Sequence, residues 1–212
     1  GACVAAISSR LGSTADPVVR EYLDIIEAEV GRCTNIVDGL LDFSRAGRSG
    51  DGMVPTDLTA LLERTLFLLK HHQRFRRLTV ECDLAEALPM VPGNGERLIQ
   101  AVMAILLNAA DATGGRGTVT ITTRHEAPWV VAELIDDGPG IAPATLERMF
   151  EPFFSTKAVG KGSGMGLATV HGIVHEHGGH ILIDTAPGCG TRFRVLLPML
   201  PPPGGQPEHR QA

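Results

Sequence analysis

Aromatic residues make up only 4% of the 212-residue chain, with one Trp and one Tyr. A core, if it forms, must therefore be packed with Leu, Val, Ile and Ala, and 43% hydrophobic content is enough to build one. Positive charge is not in excess either: 19 Lys and Arg stand against 24 Asp and Glu, for a net charge of -5. A nucleic-acid partner held through its phosphates needs a broad cationic surface, so this balance argues against one. The chain also lacks an apolar run of roughly 18 residues and a charged-then-apolar leader, so no membrane segment is expected in it. The four cysteines, Cys3, Cys33, Cys82 and Cys189, are widely spaced with no C-x-x-C pair. Disulfide frameworks belong to small domains in oxidising compartments and zinc sites want clustered ligands, which leaves four free thiols in a reducing cytoplasm. The sequence starts at Gly1 without a Met, and the expectation is a piece of a longer protein, whose full length could carry a membrane anchor upstream.

Glycine, in contrast, is abundant and concentrated. The stretch Asp136 to Ala168, DDGPGIAPATLERMFEPFFSTKAVGKGSGMGLA, holds one cluster at Asp136–Ile141 and another at Gly160–Gly166. Glycines at this density let the backbone approach a ligand closely. The second cluster runs into an apolar helical segment, whose free N-terminal N–H groups suit anionic oxygens. Neither G-x-x-x-x-G-K-[ST] nor a G-x-G-x-x-G turn after a strand is present. Taken alone, the cluster reads equally well as a phosphate loop or as a flexible surface loop.

Around it the elements fall into order. Asp16 and Pro17 open a helix whose Leu23, Ile26, Val30, Cys33, Val37 and Leu40 recur at heptad spacing, with Glu21, Asp24, Glu27, Glu29, Arg32 and Asp38 opposite. With Val4 to Leu11 as the end of a preceding helix, this makes a hairpin too thin to stand alone, so a second copy is expected to bury the seam. Ala46 to Asp51 reads as a hinge. A helix from Thr56 or Asp57 to about Phe75 is expected to bury Leu58, Leu61, Leu62, Thr65, Leu68 and Leu69, and Leu78, Val80 and Cys82 alternate as a strand. Gly95 to Ala112 is helical, Thr118–Arg124 and Trp129–Ile135 are a strand pair, and Leu167–His177 is a helix stopped at Gly178 and Gly179. Strands at His180–Asp184 and Thr191–Leu197 follow, joined by a turn at Pro187 to Gly190. The tail from 199 to 212 is disordered by composition. This order is not an alternating β-α-β series and suits a mixed sheet covered on one face by helices.

Four motifs then occur in sequence: Asn108-Ala109-Ala110-Asp111-Ala112; Asp136-x-Gly138-x-Gly140-Ile141; Phe150-Glu151-Pro152-Phe153-Phe154-Ser155-Thr156-Lys157; and Gly160-x-Gly162-x-Gly164-x-Gly166-Leu167-Ala168. They resemble the N, G1, F and G2 boxes of the sensor histidine kinases, whose ATP-binding domain belongs to the gyrase, Hsp90, histidine kinase and MutL superfamily. His177-Gly178-Gly179 and Gly188-x-Gly190-Thr191-x-Phe193 are similar to the closing strands of that domain. Arg20 to Arg45, ending LLDFSR, resembles the second helix of the dimerisation and phosphoacceptor hairpin. In that register the acceptor histidine falls just before Gly1, with Cys3 where the motif has proline, and the chain does not contain it.

The resemblance implies an α+β fold: a two-layer α/β sandwich of the Bergerat type, preceded by a hairpin that dimerises as a four-helix bundle. It divides the chain into hairpin (1–47), linker (48–55), ATP-binding catalytic domain (56–198) and tail (199–212). It implies ATP and Mg²⁺ as cofactors. Asn108 would ligand the metal through its amide oxygen, and Asp136 would accept the adenine amino group. Asp111, Gly138, Gly140, Ile141 and Thr191 would join them around the nucleotide. The lid would comprise Phe150, Lys157, Gly160, Lys161, Gly162, Ser163, Gly164, Met165, Gly166 and Leu167. Phe150, Phe153 and Phe154 read as lid anchors packed onto the core or the hairpin. Ala104 stands where many members carry a second polar residue of the N box, and Asp111 where many carry Lys.

The implied activity is ATP-dependent phosphorylation of a histidine on the dimerisation helix, followed by transfer to an Asp of a response-regulator receiver domain. A nucleotide-binding regulatory dimer without autophosphorylation is the alternative; a serine kinase or ATPase of the same superfamily is a third. His171 and His175 have an i, i+4 spacing that can bind metal. No Cys or carboxylate set completes such a site, so the histidines from His171 to His180 read as surface or helix-terminal residues.

Overall fold

The computed structural model describes residues 52–70, 72–157 and 162–201, together with Val19, Ile25 and Ile26. The hairpin helices, the hinge and the tail beyond Pro201 lie outside the described residues, apart from those three apolar positions, which are helical and 41–50% exposed. Met199 and Leu200, expected in the disordered tail, are instead held by backbone hydrogen bonds, Met199 N–H to the Pro128 carbonyl at 3.0 Å and Leu200 N–H to the Met90 carbonyl at 2.7 Å. The chain divides into two compact units: Gly1–Ser49 with Arg148–Ala168, and Gly50–Glu147 with Thr169–Ala212.

The larger unit opens with β1 (Val54–Thr56), then α1 (Leu58–Leu69), a 3-10 turn (Gln73–Phe75), β2 (Thr79–Asp83), β3 (Val91–Gly93) and α2 (Gly95–Ala112). β4 (Thr118–Glu126), β5 (Trp129–Asp136) and the short α3 (Pro143–Leu146) follow. α4 (Gly166–Glu176), β6 (His180–Thr185) and β7 (Thr191–Pro198) complete the described elements. Five strands form one sheet in the order β2-β4-β5-β7-β6, parallel only between β2 and β4. β1 and β3 pair separately and antiparallel.

Strand alternation decides which face is covered. Val119 and Ile121 of β4, Val130 and Leu134 of β5, and Phe193, Val195 and Leu197 of β7 are buried. The intervening Arg124, Glu133 and Arg194 stand on the other face, where Arg124 pairs with Glu133 at 2.7 Å and Arg194 with Asp184 at 2.7 Å. α2 supplies the opposing core layer through Leu98, Val102, Ile105 and Leu106, and packs on α1, β4 and β5. The mixed sheet with helices on one face is thus the observed architecture, and each fully buried Leu or Ile contributes about 1.5–3 kcal/mol.

α1 starts where its cap dictates: the Asp57 carboxylate accepts the N–H groups of Thr59 and Ala60 at 2.9 and 3.1 Å. It ends at Leu69, short of the expected Phe75. His72 instead caps the 3-10 turn through its ring nitrogen, accepting from the Arg74 N–H at 3.3 Å, and the turn drives Phe75 into the core at 7% exposure. Leu69 therefore takes the last buried position, and Leu68, expected on that face, is 50% exposed. β1 and β3 were not anticipated. Each is three residues long with proline at its centre, Pro55 opposite Pro92, too short and too proline-rich to show a period of two.

Candidate functional site

Asp136 is the last residue of β5, and the register places it between Val119 of β4 and Thr191, the first residue of β7. It is 5% exposed. Its Oδ1 accepts the Gly138 N–H at 2.9 Å. Burial pushes its carboxyl above the ordinary range; the Gly138 N–H opposes the shift, the neighbouring Asp137 charge adds to it, and the Thr191 N–H opposes it. An ionised carboxylate offers about four lone-pair positions, and these two backbone donors do not exhaust them. What remains is a buried, oriented acceptor suited to a neutral N–H donor.

The loop after Asp136 is shaped by close backbone contact. A Cβ on Gly138 would lie 2.7 Å from Asp136 Oδ1 and 3.1 Å from the Ala112 Cβ. Gly140 has φ +70°, and a Cβ there would meet the Ala186 carbonyl oxygen at 2.0 Å. Both glycines are thus required by protein contacts, whatever ligand lies nearby. The β6–β7 turn holds this loop: Gly188 N–H donates to the Pro139 carbonyl at 2.7 Å, and Ile141 N–H donates to Thr185 Oγ1 at 2.9 Å.

Asn108 lies on α2 and is half-buried. Ala112, one turn on and roughly 6 Å along the axis, is the residue packed beside Gly138. The last turns of α2 therefore run alongside the Asp136 loop. Asp111 is engaged by Arg74 Nη1 at 3.1 Å, an ion pair that ties the 3-10 turn to α2. Thr191 is 4% exposed and stands 3.3 Å, hydroxyl to hydroxyl, from Thr185. Ala104, like Asn108, is half-buried on α2.

The remaining sequence-derived candidates belong to Arg148–Ala168, and Gly160 and Lys161 lie outside the described residues. Within this segment the Arg148 guanidinium sits 4.5 Å over the Phe154 ring and pairs with Glu151 at 3.0 Å. Phe153 N–H donates to the Gly164 carbonyl at 3.0 Å, and Gly164, at φ +68°, leaves no room for a Cβ, which would lie 2.4 Å from the Phe153 carbonyl carbon. Phe153 itself has φ +67° and is 60% exposed. It is therefore not packed onto the core, its backbone being committed to Gly164; the expected alternative, packing onto the hairpin, falls outside the described residues. Phe150 is half-buried, while Lys157 is exposed, its N–H donating to Ser155 Oγ at 3.2 Å. Gly162 is exposed, and a Cβ there would lie 3.1 Å from the Lys157 Cδ. Ser163 Oγ accepts from the buried Met165 at 3.3 Å, just ahead of Gly166 and Leu167 in the first turn of α4.

Sequence reasoning missed two features. Thr185, the hub of the β6–β7 turn, carries no motif of its own in a single sequence. His177, read as a surface or helix-terminal residue, does stand at the end of α4 but is only 4% exposed: its Nδ1 donates to the Ile173 carbonyl at 2.7 Å and its Nε2 accepts the Asn94 N–H at 3.0 Å. Beside it Arg97 meets Glu176 at 2.7 Å, so the end of α4 is clamped to the start of α2. The Gly178-Gly179 stop after His177 was the available signal, since it turns the chain back at that residue. His171 and His175 stack with centroids 6.4 Å apart, and among the described residues no group of three or more His, Cys, Asp or Glu could hold a metal. Nor is any described helix long and apolar enough to cross a membrane.

A family model described as histidine kinase-, DNA gyrase B-, and HSP90-like ATPase matches residues 93–201, the stretch from β3 past β7 that holds Asn108, Asp136 and the glycine-rich loop. The chain belongs to this family. Its relatives narrow the type to the catalytic domain of sensor histidine kinases. Sensor histidine kinase ZraS of Escherichia coli O157:H7 is 32% identical over 179 residues, covering 84% of this chain and 38% of ZraS. The mycobacterial sensor histidine kinase MprB superposes with a TM-score of 0.62 at 30% identity, over 70% of this chain and 99% of that one. Full-length ShkA in complex with AMPPNP gives a TM-score of 0.67 at 25% identity, over 89% of this chain and 40% of ShkA. The chain thus spans less than half the length of ZraS.

Proposed function

We propose that this chain is the catalytic part of a histidine protein kinase of a two-component system. It binds Mg-ATP and transfers the γ-phosphoryl group to a histidine on the dimerisation helix, from which it passes to an Asp of a response-regulator receiver domain. The observation that carries the nucleotide reading is Asp136, a buried carboxylate with acceptor capacity to spare at the edge of a loop backed by α2. The ShkA complex with an ATP analogue supports it. In this reading Gly138, Gly140, Ile141 and Thr191 line the base, and Asp111 helps to seat α2.

Residues 160–167, with Lys157, are assigned to the phosphates on the sequence resemblance, and Phe150 to anchoring the lid. Asn108 is assigned to Mg²⁺, and the donor set fits that role: one neutral amide, with no group of three or more His, Cys, Asp or Glu among the described residues to cage a metal, suits an ion held mainly by phosphates and water. Bound there, Mg²⁺ would neutralise charge developing on the phosphates. The protein's share is positioning and N–H donation. The same reading has the hairpin form a homodimer and places the chain in the cytoplasm, where its receiver partner is found.

Ala104 favours a second reading. It offers no oxygen one turn before Asn108, so a nucleotide-responsive regulatory dimer without autophosphorylation would need no better metal site.

The test is binding of AMP-PNP with Mg²⁺ to wild type, Asn108→Ala and Asp136→Ala. Both substitutions are expected to weaken binding at least tenfold, since each removes a charge-assisted or metal contact. Wild-type affinity in both variants refutes the site. Labelled phosphate on a separately supplied hairpin bearing the histidine distinguishes the kinase from the regulatory dimer.

A further inference from the structure

Thr185 ends β6 with its hydroxyl at the meeting point of three backbone segments. It accepts the Ile141 N–H at 2.9 Å, donates to the Gly190 carbonyl at 2.8 Å, and lies 3.3 Å from Thr191 Oγ1. A hydroxyl has one proton and two lone pairs, so these three partners use its whole capacity. It has nothing left for a ligand.

What it holds, however, is the wall of the candidate base site. Gly190, at φ +74°, is wedged against the strand end, where a Cβ would lie 2.1 Å from the Asp136 carbonyl oxygen and 3.3 Å from the Asp137 Cα. The next residue, Thr191, directs its N–H at the Asp136 carboxylate. Ile141, on the other side, closes the loop that starts at Asp136. One hydroxyl therefore ties the far end of the Asp136–Ile141 loop to the turn that backs Asp136.

We propose that Thr185 is a positioning residue of the nucleotide site, fixing where Asp136 and Ile141 stand through its hydroxyl without touching the nucleotide. This rests on the reading of Asp136 as the acceptor of the base. Removing the hydroxyl leaves Ile141 N–H and Gly190 C=O without their partner, while the Gly188–Pro139 hydrogen bond still retains the loop. The expected defect is a displaced base site in a folded domain.

The 212-residue chain is assayed as wild type, Thr185→Val, Thr185→Ser and Thr185→Ala, with AMP-PNP and with inorganic triphosphate, which has no base to position. Val keeps the shape and loses the hydroxyl; Ala loses it without added bulk, so the result does not depend on one variant. Both are expected to weaken AMP-PNP binding about tenfold, the consequence of leaving partly buried polar groups unpaired. Triphosphate affinity should stay within about twofold, and Ser should restore AMP-PNP binding, because it keeps the donor and both lone pairs. Wild-type affinity in Val and Ala, an equal loss for triphosphate, or Ser behaving as Val overturns the proposal. Asp136→Ala separates the two levels. If it loses AMP-PNP while Thr185→Val does not, only the role of Thr185 falls; if it binds normally, the base reading falls and this inference with it.

Discussion

Replacing Gly140 by alanine tests whether the Asp136 loop is built by protein contacts as described. Two costs fall on the new side chain. The backbone at φ +70° is a left-handed conformation that costs an L-residue about 1–2 kcal/mol. The added Cβ would also lie 2.0 Å from the Ala186 carbonyl oxygen and 2.8 Å from its carbon. Those are main-chain atoms of the β6–β7 turn, so no side chain can swing away, and forcing the turn apart costs a further ~1–3 kcal/mol. Gly172 provides the matched control: it lies within α4, and a Cβ there meets nothing within 4 Å. Gly172→Ala should stabilise by about 0.5–1 kcal/mol, through helix propensity alone. At about 2–4 °C per kcal/mol for a chain of this size, the melting midpoints of the two variants should separate by roughly 5–24 °C, on opposite sides of wild type. Thermal melts followed by circular dichroism would measure this. Gly140→Ala melting at or above wild type refutes the close approach of the loop to the turn.

Further expectations follow from single groups. Burial holds the Asp136 carboxyl above its ordinary value, so the folded protein binds that proton more tightly than the unfolded chain. Its contribution to stability is then complete below the unfolded value of about 3.9 and is lost as pH rises through the folded one. Urea melts from about pH 4 to 7 should show Asp136→Asn gaining on wild type as pH rises, and a pH-independent difference counts against the burial argument. His177→Phe keeps a flat ring, somewhat larger than imidazole, but strands the Asn94 N–H and the Ile173 carbonyl, for an expected loss of about 2–4 kcal/mol. His177→Gln, which can both donate and accept, should recover much of that loss in the same urea melts, and equal losses in the two variants would show that only packing matters.

Much of the sheet could be read from the chain because strand alternation is a local property. Val119, Ile121 and Thr123 alternate with Thr120, Thr122 and Arg124 in the sequence itself, and the buried face follows. The stripe of Leu98, Val102, Ile105 and Leu106 marks α2 in the same way, and glycine density marks the loops. Leu68 and the end of α1 were misread because periodicity does not reveal where a helix stops when a side chain such as His72 captures the next backbone N–H. The exposure of Phe153 accompanies a backbone pairing with Gly164, eleven residues away, which no local pattern records.

By itself the sequence determined the α+β class, the positions of β4, β5, α2 and β7, and the residue types of the candidate site. The elements depend on side-chain spacing within single segments, whereas the fold class and the site residues follow from the resemblance of the four motifs to the family's boxes. Only the tertiary structure decided that Asp136 would be buried between Val119 and Thr191, that Arg74 would meet Asp111, that His177 would join two helices, and that Thr185 would hold the turn against the loop. Each of these depends on strand register or on which buried backbone groups must find a partner. Both are settled by segments tens of residues apart coming together, and no local pattern records that.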